Sequence, residues 1–253
     1  MLKKLSFLLL FFAFIGVVGS FAAKSNEDIT GAPPYGVPEE EAPDINPLAF
    51  LHSWTRPDGP AKVGIQVGHW KNDEVPEELK NLRNNTGASG GGMSEWEVNY
   101  AIAELIAQKL KVQGVTVDIL PTTIEPDYWA DVFIAIHADG SEDRSKSGYK
   151  FASPWRDFTG NAELLVELLN SYYGDQVDMD YDPNISRNMR GYYAFAWWRY
   201  DHSIHPMTTA AIAETGFLTN AYDREIIIDQ PDISATAISE AIIDYLRKKQ
   251  LLG

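Results

Sequence analysis

The sequence predicts an α/β fold, a single domain with a mostly parallel twisted sheet flanked by helices on both faces. Three observations predict it. Short β-branched runs alternate along the chain with longer helical stretches. The run 131–136 (DVFIAI) is almost continuously apolar, as in a strand buried on both sides. The helical stretches carry their apolar residues on one face only.

The elements follow in order. Residues 62–67 (KVGIQV) form a strand that runs into Gly68 and His69. Residues 94–113 have helical spacing, with Val98, Ile102, Leu105, Ile106 and Leu110 on one face, and Gly114 ends the helix. Residues 115–120 (VTVDIL) are a strand closed by Pro121, and residues 131–136 are the next. Residues 162–172 form a second amphipathic helix, and residues 210–213 (AAIA) a further buried strand. The last element is a helix over 233–249, whose inner stripe is Ala237, Ile238, Ala241, Ile242, Tyr245 and Leu246.

Composition narrows the function classes. Hydrophobic residues make up 45 % of the 253, enough for a sizeable core. The absence of cysteine excludes a disulfide framework, an iron–sulfur cluster, a thiolate zinc site and a cysteine nucleophile. A formal charge of −15 argues against a nucleic-acid partner, because phosphate-backbone binders bring clustered Lys and Arg.

The first 23 residues have the layout of a secretory signal. Lys3 and Lys4 precede an apolar run from Leu5 to Val18, and small residues follow, with a cut expected after Ala22. An uncleaved anchor tethering the protein to a membrane is the alternative; the run is short for a full span. Residues 24–54 are rich in proline and acid (Pro33, Pro34, Pro38, Pro43, Pro47 and Glu39 to Glu41) and read as an extended linker. Residues 55–253 are then one domain, working outside the cytoplasm, secreted or in the cell envelope.

Position singles out the chemistry. His69, His137 and Glu214 each follow an expected strand directly, and in an open α/β sheet the crevice beyond the strands' carboxyl ends is where ligands bind. Two imidazoles and a carboxylate form a ligand set that zinc accepts, with a fourth position left open in catalytic sites. A second carboxylate is at hand. Ser94-Glu-Trp-Glu97 reads as a capping box that occupies Glu97 and leaves Glu95 free to reach the crevice. Taken singly, each residue has a plainer reading: a hydrogen-bonded turn histidine, or a glutamate compensating a helix dipole.

Four segments, in order, resemble the zinc-dependent N-acetylmuramoyl-L-alanine amidases of the Amidase_3 family. VGIQVGHW is similar to that family's strand ending in Gly-His, and SEWEVNYAIAELIAQKLKVQGVTVDIL to its Glu-x-x-x-Asn helix with Gly and strand following. ADVFIAIHADGS is similar to its strand ending in Ile-His-Ala-Asn, and AAIAETGFLTNAYD to its Glu-x-Gly-Phe-x-x-Asn element. The resemblance implies zinc held by His69, Glu95 and His137, with Glu214 as catalytic carboxylate. It also implies peptidoglycan as substrate, cut between N-acetylmuramic acid and L-alanine. The chain departs from the family pattern at Trp70 and Asp139, and the stretch RNMRGYYAFAWWRY is only loosely similar. A zinc peptidase acting on stem peptides and a non-catalytic wall-binding or regulatory module remain the alternatives.

Three further features have expected roles. Trp70, Trp96 and the cluster Tyr192, Tyr193, Phe195, Trp197 and Trp198 supply either a sugar-binding rim or ordinary core. The glycine-rich loop between Lys71 and Gly92 lacks the Lys-Ser/Thr of a phosphate loop and suggests a flap. His202 and His205 are spaced for one helix face, but Pro206 disfavours helix there.

Overall fold

The computed structural model describes residues 53–253. The signal or anchor segment and nearly all of the linker lie outside the described residues. Among these residues, no helix is long and apolar enough to cross a membrane.

Seven strands and five helices are described: β1 (Lys62–Val67), β2 (Ser89–Gly90), β3 (Met93–Ser94), α1 (Glu95–Val112), β4 (Thr116–Leu120), β5 (Val132–Asp139), β6 (Lys150–Ala152), α2 (Ala162–Gln176), α3 (Arg187–Arg190), β7 (Thr209–Phe217), α4 (Ala221–Ile227) and α5 (Pro231–Lys248). Five strands form the main sheet in the order β4-β1-β5-β7-β6. The first four are parallel and the short edge strand β6 is antiparallel to β7. The pair β2-β3 is a separate small hairpin.

Alternation along the strands explains the layers. Val63, Ile65, Val67, Ile134, Ile136, Ala211 and Ala213 meet the apolar stripes of α1, α2 and α5 in one core. The intervening Phe133, Ala135, Ala210 and Ile212 face a second core with Leu79, Leu82, Met189, Tyr193 and Phe195. The three long helices therefore share one face. The other is covered by 3-10 turns at Asn72–Glu74, Glu77–Leu82 and Tyr193–Phe195 and by the one-turn helix α3. All six residues of the expected α5 stripe are buried, as are Val98, Ile102, Ile106 and Leu110 of α1, while Leu105 is only partly so.

Two strand ends differ from the sequence reading, and the difference shapes the site. β5 continues three residues beyond Ile136, and β7 continues past Ala213 to Phe217. His137 and Glu214 thus lie within strands, paired in register, instead of following them. The ladder persists because backbone pairing is indifferent to side-chain charge, and both side chains find polar company where they are buried. Strand β6, absent from the sequence reading, places Lys150 opposite Glu214 on the other side.

Candidate metal centre

Three elements deliver three donors to one point. β1 is followed by Gly68, whose N–H donates to the carbonyl of Ile136 at 2.9 Å and so extends the ladder by one residue. A Cβ on Gly68 would run into the His137 ring, so only glycine allows the two segments this approach. His69 then turns with φ +63°, a left-handed backbone that a histidine adopts at some cost in strain. Glu95 opens α1, behind the capping box: the Ser94 N–H donates to the Glu97 carboxylate at 2.9 Å. His137 comes from the centre of the sheet.

Their donor atoms all lie within 4.8 Å of one another, and all three residues are buried. His69 Nε2 is 3.4 Å from Glu95 Oε2, and His137 Nδ1 is 3.0 Å from Glu95 Oε1. From the residues alone, Glu214 was the carboxylate at a strand end; the structure gathers Glu95 with the imidazoles and sets Glu214 beside His137 on the neighbouring strand. Glu214 is 1 % exposed, which puts it in a medium where its charge acts strongly.

The surroundings orient each donor. His69 Nδ1 is 3.0 Å from the Asn85 carbonyl. An Nδ1–H donating there leaves the Nε2 lone pair for the centre. On the far side of His137, Nε2 is 3.3 Å from the Tyr192 hydroxyl, which donates to Gln66 Oε1 at 2.9 Å. That directionality makes the phenol oxygen the acceptor of the Nε2–H and leaves His137 Nδ1 as the donor atom. Gln66 Nε2 in turn donates to the Thr122 carbonyl at 2.9 Å and to the Tyr193 hydroxyl at 2.6 Å. Glu95 accepts from the Ala88 N–H at 2.7 Å and the Ala138 N–H at 3.2 Å. Burial pushes its carboxyl up, but His69, His137 and the Ala88 N–H outweigh this and hold its pKa below the ordinary value.

The glycine-rich loop is part of this cradle. Asn85 receives His69, Ala88 holds Glu95 through both its N–H and its carbonyl, and Gly87 lies against both candidate ligands. At φ +69° a Cβ on Gly87 would collide with Glu95 Oε2 and come within 2.7 Å of His69 Cδ2. The expectation of a flap therefore gives way to a loop packed against the site. If the three side chains hold zinc, Gly87→Ala is expected to weaken its binding at least tenfold, and in any case to cost on the order of 1–3 kcal/mol of stability. Competitive zinc titration and a denaturant melt measure the two effects.

Other residues singled out in the sequence go elsewhere. His202 Nδ1 is 2.6 Å from Glu78 Oε1, whereas His205 packs on Trp54 and accepts from the Met207 N–H, so the two share no site. Tyr193 and Phe195 are core residues; Tyr192 is equally buried, but its hydroxyl serves the centre. Trp70 packs edge-on against Tyr100 at 5.0 Å, and Trp197 against Trp198 at 6.0 Å. Asp139 is tied to Lys150 at 2.6 Å.

Residues 63–244 match the family described as N-acetylmuramoyl-L-alanine amidase, Amidase_3. The chain belongs to that family. It is 26 % identical over 176 residues to the N-acetylmuramoyl-L-alanine amidase LytC of Bacillus subtilis (strain 168), a match covering 64 % of this chain and 33 % of that protein. Solved structures share the fold. The N-acetylmuramoyl-L-alanine amidase AmiC2 of Nostoc punctiforme superposes with a TM-score of 0.54 at 20 % identity, over 76 % of this chain and 99 % of that one. Ami1 from Mycobacterium smegmatis gives 0.56 at 16 % identity, over 74 % and 97 %.

Proposed function

We propose that this protein hydrolyses the amide joining the lactyl group of N-acetylmuramic acid to the L-alanine of the stem peptide in peptidoglycan. Zinc is the cofactor in this reading, held by His69, Glu95 and His137, and Glu214 is the general base. The observation that carries it is the buried convergence of His69, Glu95 and His137 in a chain of the amidase family.

The donor set fits the metal. Two imidazoles with their outer nitrogens occupied and one carboxylate are ligand types that zinc takes, and three of them leave a position open. Bound there, zinc would supply a Lewis acid for the scissile carbonyl and would lower the pKa of water into the neutral range. The rest falls to the chain. Glu214, beside His137, accepts the proton of the attacking water and returns it to the leaving nitrogen. Tyr192 and Gln66 keep His137 in one tautomer and orientation. Tyr192→Phe removes the acceptor of the Nε2–H, so zinc affinity is expected to fall about 10- to 100-fold with the fold intact. Equilibrium dialysis alongside circular dichroism reads both. A wall substrate places the protein outside the cytoplasm, secreted or in the cell envelope, with residues 1–23 as the exporting signal or membrane anchor.

Digestion of purified peptidoglycan with and without a chelator, followed by mass analysis, tests the reading. Intact stem peptides released from intact glycan, only when zinc is available, are expected. Shortened stems would show a peptidase instead, and no product in zinc-replete buffer would show a binding module.

A further inference from the structure

Three residues on three adjacent strands stand side by side across the sheet. His137 of β5 is in register with Glu214 of β7, and Glu214 is in register with Lys150 of β6. Directly paired residues on neighbouring strands share a face, with Cβ atoms about 4.5–5.5 Å apart. The row therefore runs from a proposed metal ligand, through the proposed base, to an ammonium group. Lys150 is itself only 7 % exposed, which is costly for a lysine without partners.

Its partners fix where the charge sits. Lys150 Nζ is 2.6 Å from Asp139 Oδ2, two residues beyond His137 on β5. It is 3.1 Å from Asp182 Oδ2, in the segment that pairs with Tyr149 at the sheet edge. The ammonium is thus pinned from both sides. It also borders a cavity of about 450 Å³ lined by Asp139, Lys150, Asp182, Asn184 and Phe217, at the same strand ends as the candidate centre.

We infer that Lys150 is a positioning residue for catalysis: clamped between Asp139 and Asp182, it holds the Glu214 carboxylate at the attitude in which it meets the attacking water. This rests on Glu214 being the base. Burial alone would lower the Lys150 pKa, yet the charges of Asp139 and Glu214 outweigh it and raise it, so the ammonium stays charged across the working range of a wall enzyme. A plain electrostatic staple for β6 would need Asp139 and Asp182 only, and would not involve Glu214 in turnover.

The test uses the zinc-loaded full chain. Lys150→Met alone would strand buried carboxylates, so it is combined with Asp139→Asn and Asp182→Asn. Asparagine keeps the Oδ1 acceptors now used by the Gly140 N–H at 2.7 Å and the Asn184 N–H at 3.0 Å. The triple variant is expected to hold one zinc and keep KM within about twofold, while kcat falls about 100-fold, the scale of a roughly 1 Å misplacement. Adding Glu214→Gln should then cost much less than it costs the native enzyme, because both changes disable one device. Lys150→Arg, which keeps the buried charge balanced and survives if the triple variant does not fold, should lower kcat about tenfold at unchanged KM, because the planar fork shifts the charge. Native kcat in folded, zinc-loaded triple or arginine variants, or losses that simply multiply with that of Glu214→Gln, would make Lys150 a staple and overturn the proposal. Native activity of Glu214→Gln by itself would instead overturn the base assignment beneath it.

Discussion

Glu214→Gln is expected to bind zinc as the native protein does and to hydrolyse peptidoglycan about 10²- to 10⁴-fold more slowly, the range that a positioned general base contributes. The change is nearly isosteric. Glu214 sits on β7 and does not belong to the donor group of His69, Glu95 and His137, so zinc content should be unaffected. A glutamine amide in its place keeps the volume and one acceptor but has no basicity, so binding persists where proton transfer fails. The loss should therefore appear in kcat with KM little changed. Its size separates two roles. If Glu214 served only to satisfy the strand's surroundings, the amide would serve nearly as well and the rate would fall by less than about tenfold, which would remove the carboxylate from the mechanism. The measurement is a steady-state assay on peptidoglycan fragments, with zinc content from elemental analysis of the same sample.

Much of this arrangement was legible in the sequence, and the parts that were not share a cause. The parallel strands and the three long helices could be read because their information is local: continuous apolar runs for buried strands, one-faced periodicity for α1, α2 and α5. The capping box at Ser94 and Glu97 was readable for the same reason. Strand ends were misjudged at His137 and Glu214, because an ionisable residue in an apolar run looks like an exit, while the structure buries it beside its partners. Strand β6 was illegible, since three residues are too few to show a period and they pair only through β7. The glycine-rich loop looked mobile because glycine is permissive; here Gly87 is required because the side chains of His69 and Glu95 occupy the space of its Cβ, a tertiary fact. One signal was present and unused. Gln66 interrupts the apolar strand KVGIQV, and a wholly buried amide there implies a hydrogen-bonding task, which is to receive the Tyr192 hydroxyl behind His137.

Removing the metal is expected to lower the melting temperature by roughly 8–16 °C without unfolding the domain at room temperature. The first half follows from linkage. A ligand that binds only the native state stabilises it by about 4 kcal/mol when present at about a thousand times its Kd, and a domain of this size moves roughly 2–4 °C per kcal/mol. The second half follows from what remains without zinc. Glu95 keeps the Ala88 N–H at 2.7 Å and the Ala138 N–H at 3.2 Å, so its carboxylate is not left uncompensated. Both faces of the sheet retain apolar cores of their own, unlike a small finger whose only core is its metal. Chelation should therefore yield a folded, inactive protein with a lower but still cooperative transition, and added zinc should restore both activity and melting temperature. His137→Ala should lose the zinc-dependent part of the shift, because two donors cannot hold the ion as three do. Calorimetric scans of native and variant protein, each with chelator and with zinc, decide the matter: a native melting temperature that ignores both additions would mean that these three side chains do not share a metal.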